Sequence, residues 1–97
     1  MQIQTVTLTS AGGPTSPIRI DLSRFQNGAG LVCTVSTGAT TSYSVQISGD
    51  NVNWNNHDSL FNQQSSKNGN LAFPVTFIRL NGTVSNGTVT LVVVQAQ

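Results

Sequence analysis

The chain has 97 residues, of which only 7% are charged, and its formal net charge is +1. A charge this small produces no long-range field to steer the protein towards phosphate groups, which argues against a nucleic-acid partner. The single cysteine, Cys33, excludes an intramolecular disulfide. The length predicts one domain, residues 1–97, with a single core.

Apolar and polar residues alternate with a period of two along almost the whole chain, and no window of eleven or more residues carries a helical apolar stripe. This pattern predicts half-buried β-strands with one wet face. The last predicted strand is apolar on both faces, so we expect it to be central in a sheet or covered by a partner. In chain order, the predicted strands cover residues 2–9, 18–22, 31–35, 43–48, 71–73, 75–80 and 89–94.

Stretches rich in Gly, Asn and Pro separate the predicted strands and are interpreted as turns. They read "SAGGPTSP", "QNGAG", "STGATTS", "SGDN", "KNG" and "NGTVSNG". Seven to eight short strands in so short a chain predict an all-β fold, an antiparallel two-sheet β-sandwich that is jelly-roll-like. A small closed barrel is the architectural alternative.

One short segment, "SGDNVNWNNHDSLF" at residues 48–61, holds the chain's only Trp, its only His and two of its three acidic residues. Trp54 has two readings: a core or rim residue that closes one end of the sandwich, or an exposed platform for a sugar or a protein. We predict that Trp54, Asn55, Asn56 and Phe61 contact a partner.

The same segment contains few groups that could bind a metal ion. Asp50, Asn53 and Asn55 are its only plausible calcium donors, but the alternate positions after Asp50 are Val52 and Trp54, and the chain has no Glu to close the loop. Zinc requires three or four Cys, His or carboxylate ligands, and the chain has one Cys and one His. No metal site and no cofactor are therefore predicted.

His57 followed by Asp58 suggests acid–base catalysis, but neighbouring side chains of an extended segment point to opposite faces. The chain has no G-x-S-x-G motif, and its three acidic residues are all Asp. We predict no catalytic residue and no enzymatic activity. His57 and Asp58 are expected to form a solvated turn, and Cys33 is expected to be a small core residue.

The N-terminal ten residues, "MQIQTVTLTS", contain no basic segment followed by an apolar run, and no stretch approaches the length of a membrane span. We therefore expect a protein that is made in a cytoplasm and has no membrane partner. Weak charge also gives little self-repulsion, which favours association into an assembly.

Two stretches, "SYSVQISGDNVNWNNHDSL" and "NLAFPVTFIRLNGTVSNGTVTLVVVQ", together resemble small β-sandwich virion proteins of tailed bacteriophages over residues 42–97. The shared features are the Gly-Asp turn, the Trp and His-Asp that follow it, the aromatic-Pro-Val step, "IRLN" and the closing strand. The resemblance implies a capsid decoration or cement protein that binds the major capsid protein on the outer surface of the virion. It also implies a homo-oligomer, a dimer or trimer, assembled in the bacterial host cytoplasm.

Two alternatives stay open. Trp54, Tyr43 and the amide-rich loops are also compatible with a carbohydrate-binding module displayed on the virion, because sugars stack on aromatic rings and hydrogen-bond to amides. A neck or tail component is the other alternative, and its copy number per particle would separate it from a decoration protein.

Overall fold

The computed structural model describes residues 1–23, 29–71 and 74–95. No helix long and apolar enough to cross a membrane occurs among them. These residues form eight β-strands: β1 (Gln2–Leu8), β2 (Ile18–Arg19), β3 (Ala29–Val35), β4 (Thr40–Ser48), β5 (Asn55–Asn56), β6 (Lys67–Leu71), β7 (Phe77–Ser85) and β8 (Val89–Gln95).

The strands form two four-stranded antiparallel sheets, sheet I in the order β1-β8-β3-β6 and sheet II in the order β2-β7-β4-β5. The first strand pairs with the last, β2 with β7, β3 with β6, and β4 with β5. The chain therefore follows the path of one long hairpin rolled up on itself, which is the jelly-roll arrangement. The predicted jelly-roll-like antiparallel sandwich is confirmed.

The core lies between the inner faces of the two sheets, where alternation predicted it. Leu31 and Cys33 of β3 face Val45 of β4 and Leu80 of β7 across the same buried cluster, and all of them are at most 1% exposed. Strand β8 pairs with β1 on one side and with β3 on the other, so it is central in sheet I. Its inward positions are buried in the core, and its outward positions are half-buried on the outer face of sheet I.

Two predicted turns are wrong. The "KNG" stretch begins β6. Gly69 within it packs against Leu60, and a Cβ added to Gly69 would come within 2.8 Å of the Leu60 Cδ1 atom. Asn81 and Gly82 lie inside β7, and Gly82 meets the backbone of Ser42 on β4. In both places glycine permits close packing instead of a reversal. Within "NGTVSNG", only the second Asn-Gly pair follows a strand end.

The predicted second strand is shorter than expected, because β2 ends at Arg19. Beyond it, the Gln95 side chain takes the place of a neighbouring strand. Its Nε2 donates to the Asp21 carbonyl at 3.1 Å, and its Oε1 accepts from the Asp21 N–H at 3.2 Å. Parts of two other predictions, residues 26–28 and 72–73, lie outside the described residues.

Candidate functional site

The turn after β4 is organised by Asp50. Its carboxylate accepts hydrogen bonds from the Asn53 N–H at 2.8 Å, the Val52 N–H at 2.9 Å and the Asn53 side-chain amide at 2.8 Å. These bonds, the Asn53 backbone bond first, hold the pKa of Asp50 well below its usual range. Ser48, at the end of β4, is 4% exposed, and its Oγ accepts the Asn51 N–H.

The three possible calcium donors do not converge. Asp50 and Asn53 bond to each other, while Asn55 belongs to β5 and pairs with Ile47. Within the described ranges, no group of three or more His, Cys, Asp or Glu side chains is positioned to hold a metal ion. The acidic part of the segment therefore acts as a turn cap.

His57 is buried, with 5% of its surface exposed, so the prediction that it lies in a solvated turn is wrong. Its Nε2 donates to the Asn70 carbonyl at 2.7 Å, and its Nδ1 accepts the N–H groups of Ser59 and Leu60, each at 3.2 Å. The imidazole thus ties the loop after β5 to strand β6. Its main partner is 13 residues away in the sequence, which local pattern cannot indicate.

The neighbours of His57 do not form a catalytic triad. The Ser59 Oγ at 3.3 Å and the Asp58 Oδ1 at 3.2 Å both approach the same ring nitrogen, Nδ1. A triad requires the nucleophile and the carboxylate on opposite ring nitrogens, and here Nε2 is bonded to a backbone carbonyl. Nδ1 already accepts two backbone N–H groups, and the Asp58 side chain that approaches it is 93% exposed.

Trp54 lies on the outer face of sheet II and not in the core. Its half-buried indole stacks on Arg79, whose guanidinium carbon is 4.0 Å from the ring centroid. Since β5 pairs with β4 and β4 pairs with β7, the indole reaches across β4 to make this contact. Burial lowers the pKa of the Arg79 guanidinium, which nevertheless stays charged.

A line of hydrogen bonds runs from Arg79 across the same face. Its Nε donates to the Gln46 Oε1 at 2.9 Å, and the Gln46 Nε2 donates to the Asn56 Oδ1 at 3.3 Å. This line borders a groove of about 350 Å³ with a wholly uncharged lining. The groove is lined by Ser42, Ser44, Gln46, Asn56, Asn62, Asn81, Gly82 and Thr83.

The structure brings only part of the predicted contact set together. Trp54 and Asn56 meet the same polar face, whereas Asn55 pairs at the edge of β4 and Phe61 lies in the following loop with 44% of its surface exposed. Tyr43, suggested as a second sugar platform, is 1% exposed and donates its hydroxyl to the Ser65 carbonyl at 2.7 Å. It cannot serve as a platform.

Cys33 is a core residue, as predicted, and is 1% exposed. Burial raises the pKa of its thiol to about 11, and a hydrogen bond with Tyr43 partly opposes that rise. Loss of solvent raises the pKa of Tyr43 as well. Both groups are therefore protonated near neutral pH and serve packing.

The outward side chains of β1, β8 and β3 form a surface on sheet I that was not predicted from the sequence, and we call it the uncharged face. Ile3 is 57% exposed and Val32 is 39% exposed, and both neighbour the half-buried pair Val92 and Val94 on β8. The apolar residues at the outward positions of β8 were the sequence feature that could have indicated this face. The uncharged face comprises Ile3, Thr5, Thr7, Gly30, Val32, Thr34, Thr90, Val92 and Val94.

No protein-family model matches the chain, and neither the curated proteins nor the solved structures contain a significant match to it.

Proposed function

We propose that this protein is a non-enzymatic structural protein of a tailed-phage virion, a capsid decoration or cement protein that binds the outer surface of the major capsid protein lattice. The observation that supports the proposal is the uncharged face of sheet I. Exposed, contiguous apolar and β-branched side chains of this kind mark surfaces that associate with other proteins.

The chemistry of the uncharged face suits docking on a repeating lattice. Its outward positions are Val, Ile, Thr and one Gly, so covering it desolvates no charge. β-branched side chains have few rotamers and lose little freedom on binding. Val92 lies at the centre of the uncharged face, on β8, and Val32 of β3 pairs directly with it.

The size of the face favours many weak contacts over one strong contact. Three strands about 4.8 Å apart, each seven residues long, give a platform of roughly 14 Å by 24 Å. That area is small for an isolated stable complex. Many copies on one lattice gain avidity, and binding to the assembled lattice alone stabilises it by mass action.

Two further observations support the proposal. Jelly rolls are frequent in viral capsid proteins, although a fold by itself does not define a function. Residues 42–97 resemble small virion proteins of tailed phages. That stretch includes all of β7 and β8, of which β8 supplies the centre of the uncharged face.

Binding to capsids that lack the protein tests the proposal. The wild-type chain should bind in a fixed stoichiometry and raise the temperature at which the capsids break open. Val32→Lys should abolish binding, because it places a charge on the uncharged face, directly beside Val92 at its centre. Val52→Lys is the matched control, since Val52 is 77% exposed in the turn after β4, away from that face. Equal binding by both variants, or absence of the protein from purified virions, contradicts the proposal.

We also propose that the protein acts as a homo-oligomer, a dimer or trimer. Its weak charge, which gives little self-repulsion, supports this. Sedimentation equilibrium of the free protein and the number of copies per virion distinguish a decoration protein from a neck or tail component. Few copies at one vertex would favour the latter.

A further inference from the structure

We propose that the groove on the outer face of sheet II is a glycan-binding site, and that the stacked pair Trp54 and Arg79, which adjoins the groove through Gln46, takes part in binding. This site is distinct from the uncharged face, because the two lie on opposite sides of the sandwich. The inference does not depend on the proposed capsid role. The groove has a volume of about 350 Å³, which falls in the range of small-ligand sites.

The lining of the groove selects for a neutral ligand with many hydroxyl groups. Hydroxyl side chains from β4 and carboxamides from β4, β5, the loop after β5 and β7 converge there. Each such group can both donate and accept, as each sugar hydroxyl can. These groups belong to Ser42, Ser44, Gln46, Asn56, Asn62 and Asn81.

Other ligand classes fit the groove less well. A phosphate-rich ligand requires several cations, and the described residues that line the groove include no Lys or Arg. An extended peptide would add to a free strand edge. The groove instead lies over β4 and β7, whose backbones already pair with each other over nine residues. A hydroxyl-rich ligand that uses side chains alone matches the site best.

Internal hydrogen bonds fix how the polar groups face the ligand. The Ser44 Oγ accepts the Asn62 N–H at 3.0 Å, and the Asn81 Oδ1 accepts the Gly82 N–H at 2.9 Å. The Asn56 Oδ1 is likewise occupied by Gln46. These bonds leave the Ser44 hydroxyl hydrogen and the amide N–H groups of Asn56 and Asn81 to donate to ligand oxygens. The donors are thus oriented before the ligand binds, which reduces the entropy cost.

Trp54 supplies the apolar surface that a pyranose ring needs. The indole face carries partial negative charge and attracts the C–H groups of a sugar ring. Arg79, which is itself hydrogen-bonded to Gln46 of the groove, stacks on the indole and holds it in place. Trp54 is two residues before Asn56, so the platform and a donor belong to the same short segment.

Binding can be measured with an array of defined oligosaccharides containing neutral hexoses, N-acetylhexosamines and uronic acids, followed by titration of the bound glycan. Trp54 is the only tryptophan, so its fluorescence reports on this site alone. We expect a saturable fluorescence change in the wild-type protein. Asn56→Ala removes one donor from an exposed position and should weaken binding about tenfold.

Matched variants complete the test. Trp54→Ala should abolish binding, measured by calorimetry because the fluorophore is lost. Asn68→Ala should bind normally, because Asn68 is an exposed amide on β6 of the other sheet. The proposal is overturned if no glycan on the array binds, or if Asn56→Ala and Trp54→Ala both bind as the wild type does. Either result leaves the capsid proposal standing, since Val32 is not involved.

Discussion

At the scale of single residues, Gly82 shows how one glycine brings two strands together. It lies within β7 at a φ of +144°, a region that side chains rarely adopt. A Cβ there would collide with the carbonyl oxygen of Ser42 and come within 2.8 Å of the Tyr43 Cα. Because backbone atoms cannot move aside as a flexible side chain can, β4 and β7 would have to separate.

Gly82→Ala is therefore expected to lower the free energy of unfolding by about 2–4 kcal/mol, combining backbone strain with overpacking. Urea denaturation followed by circular dichroism measures the change. Gly49→Ala is the control, because nothing lies within 4 Å of its added Cβ and its φ is not in the positive region. That control should change stability by no more than about 0.5 kcal/mol. Equal stabilities of the two variants would show that the strands can adjust.

At the scale of elements, the segment from β5 to β6 depends on a buried imidazole. His57 bonds to the Asn70 carbonyl of β6 and to two N–H groups of its own loop. The loop also pairs with the outer edge of β4 through the backbone of Gln63 and Tyr43. These bonds attach a 10-residue connection, 57–66, to both sheets.

We expect His57→Ala to reduce stability by about 2–4 kcal/mol, because it leaves three backbone groups without their partner and opens a cavity. Asp58→Ala should have little effect, since the Asp58 side chain is 93% exposed. Hydrogen exchange measures the local consequence: the amides of Ser59 and Leu60 should lose protection in His57→Ala only. Unchanged protection of those two amides would contradict the role assigned to the imidazole.

Strands and core positions were predictable wherever the evidence was local. Alternation placed Leu31, Cys33 and Val45 inward, because a strand turns successive side chains to opposite faces. The Asn-Gly pair of β7 and the Gly of β6 were wrongly predicted to be turns. Their glycines instead leave room for Ser42 and Leu60, which come from distant parts of the chain. Local composition cannot distinguish a glycine that turns the chain from one that lets another segment approach.

In the candidate site, too, local features were predictable from the sequence and contacts between distant segments were not. Trp54 could be singled out from the sequence, but its position outside the core depends on Arg79, 25 residues later in the chain. The groove also needs β4, β5 and β7 side by side, and strand order is not encoded in a period of two. His57 was wrongly predicted at the surface because its partner on β6, the Asn70 carbonyl, is 13 residues away in the sequence.

At the scale of the whole molecule, the jelly roll gives this small chain two outer surfaces of different chemistry. Strands β1, β8 and β3 of sheet I present mostly β-branched side chains, and sheet II presents amides and hydroxyls beside a stacked Trp and Arg. The two sheets share the core, so their outer faces point in opposite directions. A molecule seated on a lattice through sheet I would therefore direct the groove of sheet II away from that lattice.

This geometry predicts that the two binding activities separate cleanly by mutation. Val32→Lys should lose capsid binding and keep the glycan affinity of the wild type, because Val32 is on sheet I. Asn56→Ala should bind capsids normally and bind glycan about tenfold more weakly. The double variant should show the sum of the two losses, since sites on opposite faces share no partner. Capsids coated with wild-type protein should capture the glycan, whereas loss of glycan binding on coating would mean that the groove faces the lattice.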